Sequence, residues 1–164
     1  MTAPAGPARR RVLIVCHANT SRSIIAEALL LRMVRERGLD HRLEVGSGGI
    51  APYARDGSLV SLDAKFVLRE VGIPDPPKPG ATDLKRNTHL IAAADVILVM
   101  TDEQRRMLAA FPEAEGKRVL TLRELGGTSG DIADPAMQSD DVFRQCRIDI
   151  AECLERGLDR LLED

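Results

Sequence analysis

Residues 12–30 combine three local patterns that together restrict this chain to a small set of folds. The apolar run 12–15 is typical of a buried strand, and segment 23–30 has the apolar spacing of a helix. Between them lies a polar loop that begins with Cys16 and ends with Arg22. A strand, a tight loop and a helix in direct succession predict the first half of a βαβ unit.

This loop has the properties of an oxyanion site. Its backbone N–H groups precede a helix, where they lack intrahelical partners and where the helix dipole favours negative charge. Arg22 offers a planar fork of donors, and Cys16 is expected to be held as a thiolate by the helix terminus and the arginine. The alternative, a buried apolar cysteine and a surface arginine, fits the strand–loop–helix setting less well. The predicted phosphate-binding loop consists of His17, Ala18, Asn19, Thr20, Ser21 and Arg22.

A thiolate, an oxyanion cradle and an arginine indicate nucleophilic attack on phosphorus with a phosphocysteine intermediate. A proton donor is then expected on the far side of the phosphate from Cys16, because the leaving group must be neutralised. Asp134 is the first candidate, since Pro135 fixes the backbone beside it and a glycine-rich segment precedes it. Asp131 is a competing carboxylate three residues earlier.

Three further polar residues can organise the loop. Asn19 tolerates an unusual backbone angle, Ser23 can donate to the Cys16 sulfur, and Ser47 can bond Asn19 from the neighbouring strand. Each of the three also fits a plainer interpretation as a helix cap or a turn residue.

Strand and helix patterns alternate along the rest of the chain. Strands are predicted at Arg11–Cys16, Leu43–Ser47, Asp95–Met100 and Arg118–Leu122. Helices are predicted at Arg22–Arg37, Ser58–Val71, Leu84–Ala93, Asp102–Phe111 and Asp140–Leu162. This alternation predicts an α/β fold with parallel strands and helices on both faces of the sheet. Such sheets bind ligands at the carboxyl ends of strands, where strand order reverses, and the Cys16 loop is expected there.

Composition excludes several classes of protein. The 164 residues suggest one domain over residues 11–164, after a leader at residues 1–10 that is expected to be disordered. A net charge of −2 provides no field to attract nucleic acid or an anionic membrane, and no apolar run has the length of a membrane span. The three cysteines lack the number and spacing of a disulfide framework or a metal site. We therefore expect a cytoplasmic protein without a metal or other cofactor, with Cys146 and Cys153 as buried thiols.

At this point the chain resembles the low-molecular-weight protein-tyrosine-phosphatase family. The resemblance rests on Val15–Ser23 followed by Ala26-Glu27, then Ser47-Gly48-Gly49, Ala94–Met100 and Asp134-Pro135 in the family's order. It implies a flavodoxin-like fold with a four-stranded parallel sheet in three layers, and no metal. It also implies roles: Cys16 is the nucleophile, Arg22 binds phosphate, Asn19, Ser23 and Ser47 organise the loop, and Asp134 is general acid and then base.

Within that family the chain is similar to the bacterial branch that includes protein-arginine phosphatases. Thr20 matches a threonine of that branch, where tyrosine-directed relatives usually have a bulkier apolar residue.

Other positions depart from the family: glycine is usual at Ala18 and a second cysteine at Ser21. An aromatic residue is usual at Ala136, which leaves Tyr53 as the aromatic residue expected near the site. Ala18 is acceptable only with a negative φ angle, and the residues expected to set substrate selectivity are Thr20, Tyr53 and Ala136.

The function that these features favour is hydrolysis of phosphate from a phosphorylated protein, either at phosphotyrosine or at phosphoarginine. The expected partners are that protein and phosphate or another tetrahedral oxyanion. Arsenate reductase is an alternative, but it needs further reactive cysteines to resolve its intermediate. An inactive module that only binds phosphate is a second alternative.

Overall fold

The computed structural model describes residues 9–163. Its centre is a parallel sheet of four strands: β1 (Arg10–Cys16), β2 (Leu43–Gly49), β3 (Val96–Val99) and β4 (Arg118–Thr121). The strand order is β2-β1-β3-β4, with Cys16 opposite Gly49 and Val15 opposite Val99. The predicted strands are confirmed, with β2 two residues longer and β3 shorter at both ends. The predicted leader lies outside the described residues except for Arg9 and Arg10, and Arg10 already belongs to β1.

Helices follow the strands in the predicted alternation. They are α1 (Arg22–Glu36), α2 (Leu62–Arg69), α3 (Thr88–Ala93), α4 (Asp102–Leu108), α5 (Leu122–Leu125) and α6 (Asp140–Leu161), with a 3₁₀ helix at Pro112–Ala114. Neither α5 nor the 3₁₀ helix was predicted, because segments this short carry no readable periodicity. The start of α5 has a capping box in which Thr121 and Glu124 bond each other's backbone N–H groups.

Two helices begin later than the sequence predicts. The predicted helix at Ser58–Val71 starts at Leu62, because Ser61 caps it by accepting the Ala64 N–H at 3.0 Å. The predicted helix at Leu84–Ala93 starts at Thr88, since the Asn87 amide donates to the Asp83 carbonyl at 2.8 Å and holds a turn before it.

The core confirms three layers. Along β1, Val12 and Ile14 face one cluster of buried residues, while Leu13 and Val15 face the other. The first cluster is covered by α1, α2, α5 and α6, and the second by α3 and α4. As predicted, the long final helix buries one apolar face, consisting of Phe143, Cys146, Ile150, Leu154, Leu158 and Leu161.

The topology places the Cys16 loop where a ligand site is expected. The chain passes from β1 to β2 on one side and then crosses to β3 on the other side of β1, so strand order reverses at the carboxyl end of β1. No helix within residues 9–163 has the length and apolar character needed to cross a membrane.

Candidate active site

Cys16 lies at the end of β1, at the base of the loop, and its side chain is almost fully buried. Two groups contact its sulfur: the Asn19 backbone N–H donates to Sγ at 3.2 Å, and the Ser23 hydroxyl lies 2.9 Å from it. Ser23 belongs to the first turn of α1, so the helix terminus also faces this sulfur. Donors gathered around one sulfur stabilise a thiolate, and they also stabilise the same sulfur when it departs as a leaving group.

Asn19 holds the loop in shape from inside. Its φ angle is 61°, the left-handed region that asparagine enters more readily than most residues. Its side-chain amide donates to Ser23 Oγ at 2.6 Å and to Ser47 Oγ at 2.9 Å, while its Oδ1 accepts the Thr82 N–H at 2.9 Å. The hydrogen bonds predicted for Asn19, Ser23 and Ser47 are therefore present, and all three residues are buried.

A carboxylate and an amine that the sequence reasoning did not assign complete this network. Ser47 Oγ donates to the buried Glu27 carboxylate, while the Lys78 ammonium donates to the Ser47 carbonyl at 2.8 Å and to Thr82 Oγ1 at 2.9 Å. Burial raises the pKa of Glu27 above its ordinary value, and burial likewise lowers the pKa of Lys78. The signal that the sequence offered for Lys78 was its place inside the proline-rich connector after α2. Such connectors are usually exposed.

The loop also depends on a glycine in the neighbouring strand. A Cβ atom at Gly49 would lie 2.7 Å from the Ala18 carbonyl carbon and 2.8 Å from the His17 carbonyl oxygen. Gly49 therefore permits β2 to approach the loop closely enough for the Ser47 contact. Within residues 9–163, the non-glycine residues with positive φ are Asn19 and Met137, so Ala18 keeps the negative φ that its side chain requires.

Arg22 points its guanidinium across the mouth of the loop. It is 3% exposed; Nη1 donates to the Ile132 carbonyl at 2.8 Å, and Nη2 lies 3.1 Å from His17 Nδ1. The Asp134 carboxylate lies 3.9 Å from Nη2. A buried guanidinium with part of its fork engaged by the protein is held in one orientation, as recognition of an oxyanion requires.

The geometry separates the two candidate carboxylates. The Asp131 carboxylate accepts the Asp102 N–H at 3.0 Å at the start of α4, so it serves that helix terminus. The Asp134 side chain is half exposed at the mouth of the loop, and its Oδ1 accepts the Ala136 N–H at 3.0 Å. Its second oxygen is the one that faces Arg22. Of the two carboxylates, Asp134 is thus the one that faces Arg22.

The residues predicted to line the rim of the site and to set selectivity are Thr20, Tyr53 and Ala136. Tyr53 is largely exposed, and its pKa is raised by partial burial and by the negative charge of Asp134. Ala136 is exposed, and no aromatic ring extends from it. The Thr20 carbonyl accepts the Ser61 N–H at 3.0 Å, and the Ser21 hydroxyl lies 2.9 Å from Ser61 Oγ. This side of the loop is therefore attached to the segment before α2.

A third residue near the loop, besides Glu27 and Lys78, was not anticipated. Gln104, fully buried in α4, places its amide nitrogen 2.8 Å from His17 Nδ1. The Thr-x-x-Gln capping box at the start of α4 was readable in the sequence, but it indicated only a helix start.

Metal-ligand geometry is absent from residues 9–163, which contain no group of three or more histidine, cysteine, aspartate or glutamate side chains able to hold an ion. The loop brings together a cysteine sulfur, a guanidinium and a carboxyl group.

Comparison with known proteins agrees with this geometry. The family model described as low molecular weight phosphotyrosine protein phosphatase matches residues 11–164. The chain is 34% identical over 151 residues to a protein-arginine-phosphatase of Geobacillus stearothermophilus, which covers 92% of this chain and 95% of that protein. It is 33% identical over 135 residues to the low molecular weight protein-tyrosine-phosphatase PtpB of Staphylococcus haemolyticus, with 82% of this chain and 88% of that protein covered.

A solved structure of the YwlE arginine phosphatase is also similar, with a TM-score of 0.81 and 28% identity, covering 94% of this chain and 97% of that one. It is a cysteine-to-serine mutant with a phosphorylated active-site serine. The match of the family model over nearly the whole chain, together with the strand order and the loop geometry, leads to one conclusion: this protein belongs to the low-molecular-weight protein-tyrosine-phosphatase family.

Proposed function

We propose that this protein removes phosphate from phosphorylated proteins through a phosphocysteine intermediate on Cys16. One observation carries the proposal: the Cys16 sulfur accepts the Asn19 N–H and contacts the Ser23 hydroxyl at the base of a loop whose mouth is flanked by Arg22 and Asp134. These three residues can supply the nucleophile, the oxyanion ligand and the proton donor that this reaction needs.

In the first step, the Cys16 sulfur bonds to phosphorus while the bond from phosphorus to the leaving atom breaks. Asp134 gives its proton to that leaving oxygen or nitrogen, and Arg22 with the loop N–H groups binds the equatorial oxygens. In the second step, a water molecule gives a proton to Asp134 and bonds to phosphorus through its oxygen. The sulfur–phosphorus bond breaks, inorganic phosphate forms, and the thiolate returns to the hydrogen bonds from Ser23 and Asn19.

For the substrate, we propose phosphoarginine rather than phosphotyrosine. The rim supports this choice, because Ala136 offers no ring to stack on a phenyl group and Tyr53 alone remains. The Thr20 hydroxyl is small and polar, and it can accept a hydrogen bond from a guanidinium leaving group. The similarity to the protein-arginine-phosphatase of Geobacillus stearothermophilus supports the same choice.

The test is turnover of a phosphoarginine peptide and a phosphotyrosine peptide, side by side, by wild type and by Thr20→Ile. We expect faster turnover of phosphoarginine by wild type, and loss of that preference in the variant because isoleucine removes the hydroxyl and narrows the site. Preference for phosphotyrosine that is unchanged or improved in the variant would identify a tyrosine-directed enzyme and leave Thr20 a loop residue. Thr20→Ser, which keeps the hydroxyl, is the matched control.

The alternative reaction, arsenate reduction, receives less support than phosphate hydrolysis because of the properties of Cys146 and Cys153. That reaction needs a second cysteine that attacks as a thiolate. Burial raises the pKa of Cys146 to about 12 and also raises the pKa of Cys153, so both remain protonated thiols at neutral pH. An inactive phosphate-binding module is likewise disfavoured, since Cys16, Arg22 and Asp134 are all retained and lie around one loop. Labelling of Cys16 by iodoacetate at neutral pH, blocked by phosphate, distinguishes an activated thiolate from an inactive one.

We also propose that the protein acts in the cytoplasm on protein substrates, without nucleic acid or a membrane as a partner. All three cysteines are free thiols, as a reducing compartment favours, and the net charge is −2. Cell fractionation of the tagged protein tests this location.

A further inference from the structure

His17 is the one loop residue whose side chain contacts both the phosphate-binding arginine and a helix on the far side of the sheet. Its Nδ1 lies 3.1 Å from Arg22 Nη2 and 2.8 Å from the Gln104 amide nitrogen. Its Nε2 lies 3.9 Å from the Glu103 carboxylate. Three side chains therefore meet around one imidazole ring.

The backbone determines which way the Gln104 amide points. Its Oε1 accepts the Met100 N–H at 2.8 Å and the Thr101 N–H at 3.3 Å, so the oxygen faces the backbone and the nitrogen must face His17. The amide nitrogen carries only donors, as does the Arg22 guanidinium. Both donors face Nδ1 and share its single lone pair, Gln104 at the shorter distance, which requires a neutral ring with its proton on Nε2, on the side of Glu103.

This arrangement fixes the guanidinium of Arg22. One of its five N–H donors is engaged by the Ile132 carbonyl and one by His17, which leaves three for an oxyanion among the contacts of the described residues. The Ile132 carbonyl holds one end of the guanidinium fork and His17 holds the other. Without the second contact the fork can rotate about the first, and the geometry that binds two phosphate oxygens is lost.

We propose that neutral His17, oriented by Gln104, is the positioning residue that sets the guanidinium of Arg22 for phosphate. This inference rests on the proposed phosphatase function, because its consequence is measured on phosphate binding and turnover. It assigns His17 a role through Arg22, without contact to the reacting atoms, and it assigns Gln104 a role through His17.

The matched pair of variants is His17→Leu and His17→Asn, which have nearly the same shape. Asparagine presents an oxygen at the position of Nδ1 and can accept from both donors, while leucine presents only carbon. We expect His17→Leu to lower kcat/KM on an aryl phosphate about tenfold or more, the scale of one hydrogen bond to a charged group. The inhibition constant of inorganic phosphate should rise in parallel, and His17→Asn should restore both within about threefold.

Gln104→Met supplies an independent test, since it keeps the side-chain volume and removes the amide. Its effect on phosphate inhibition should be less than additive with that of His17→Leu, because both changes act on the same contact. Thermal unfolding of each variant separates this effect from the loss of the Gln104 cap on α4.

An NMR measurement that needs no enzyme activity tests the hydrogen-bond arrangement around His17 directly. The long-range proton–nitrogen NMR spectrum of the histidine rings should show Nδ1 of His17 unprotonated and Nε2 protonated, with assignment by the signals missing from His17→Asn. A proton on Nδ1, or equal losses in His17→Leu and His17→Asn, would overturn the proposal. If wild type hydrolyses no phosphate ester or phosphoarginine, the proposed function fails, but the tautomer and the binding of inorganic phosphate still decide the role of His17.

Discussion

The two sides of the phosphate-binding loop are built in opposite ways. Behind the loop, the polar side chains of Asn19, Ser23, Ser47 and Glu27 are each no more than 5% exposed, and each has a hydrogen-bond partner. At the mouth, Asp134 and Tyr53 are more than half exposed. Met137, three residues after Asp134 in the chain, is fully exposed with a φ angle of 66°. We therefore expect the buried side to hold the nucleophile and the shape of the loop, and the exposed side to meet the leaving group and the rest of the substrate.

The physical reason is that substitutions on the two sides differ in how much folding stability they remove. A buried polar group that loses its partner costs about 1–3 kcal/mol, so the network behind the loop tolerates few single substitutions. Substitution of an exposed side chain on a loop removes little folding stability, because water replaces its contacts. Substitutions behind the loop should therefore disturb every substrate alike, whereas substitutions at the mouth should distinguish one substrate from another.

The largest effect is expected for Cys16→Ser, which removes the nucleophile from the buried side. Turnover should fall about 10³-fold or more on every substrate, because a serine hydroxyl at this position is a far weaker nucleophile than a thiolate. Affinity for inorganic phosphate should persist, since Arg22 and the loop N–H groups remain. Steady-state kinetics and phosphate calorimetry measure the two quantities. Activity near that of wild type would refute the phosphocysteine mechanism.

Asp134→Ala should follow, with turnover of protein substrates lowered roughly 100-fold, the usual scale of a lost general acid. The loss should be much smaller on an aryl phosphate with an excellent leaving group, since that group departs without a proton. Asp131→Ala is the matched control, because Asp131 serves the N-terminus of α4. Equal losses on good and poor leaving groups would show that Asp134 has a structural role.

Glu27→Gln tests the network behind the loop by its effect on the free energy of unfolding. Burial raises the pKa of Glu27 in the folded protein above its ordinary value of 4.5, so the folded state retains a proton that the unfolded state has released. This contribution to stability is complete below pH 4.5 and is lost as pH rises through the folded-state pKa. Glutamine carries no such ionisation and can still accept from Ser47.

The unfolding free energy of wild type should consequently fall, relative to that of Glu27→Gln, as pH rises from about 4 to 8. Urea unfolding at fixed ionic strength measures both proteins across this range. A gap between them that stays constant with pH would mean that Glu27 has the same pKa in the folded and unfolded states.

The same contrast explains what the sequence could predict. The parallel sheet, its helices and the position of the Cys16 loop follow from local apolar periodicity, which each element carries within its own residues. The contacts of Ser23 with Cys16 and of Ser47 with Asn19 were predictable because residue type and strand adjacency indicated them. Lys78 and Gln104 were not, because each reaches the site across the fold from an element whose local pattern indicates only a connector or a helix cap.

The smallest effect is expected at the mouth, for Ala136→Tyr. A ring at this position would supply an aromatic wall that can pair with a substrate phenyl group, a contact worth about 1 kcal/mol. The kcat/KM for a phosphotyrosine peptide should rise about fivefold, while that for a phosphoarginine peptide stays within about twofold of wild type. Ala136→Leu, which adds apolar volume without a ring, is the control. An equal gain on both peptides, or an equal gain from leucine, would indicate general apolar contact and would remove Ala136 from the residues that select the substrate.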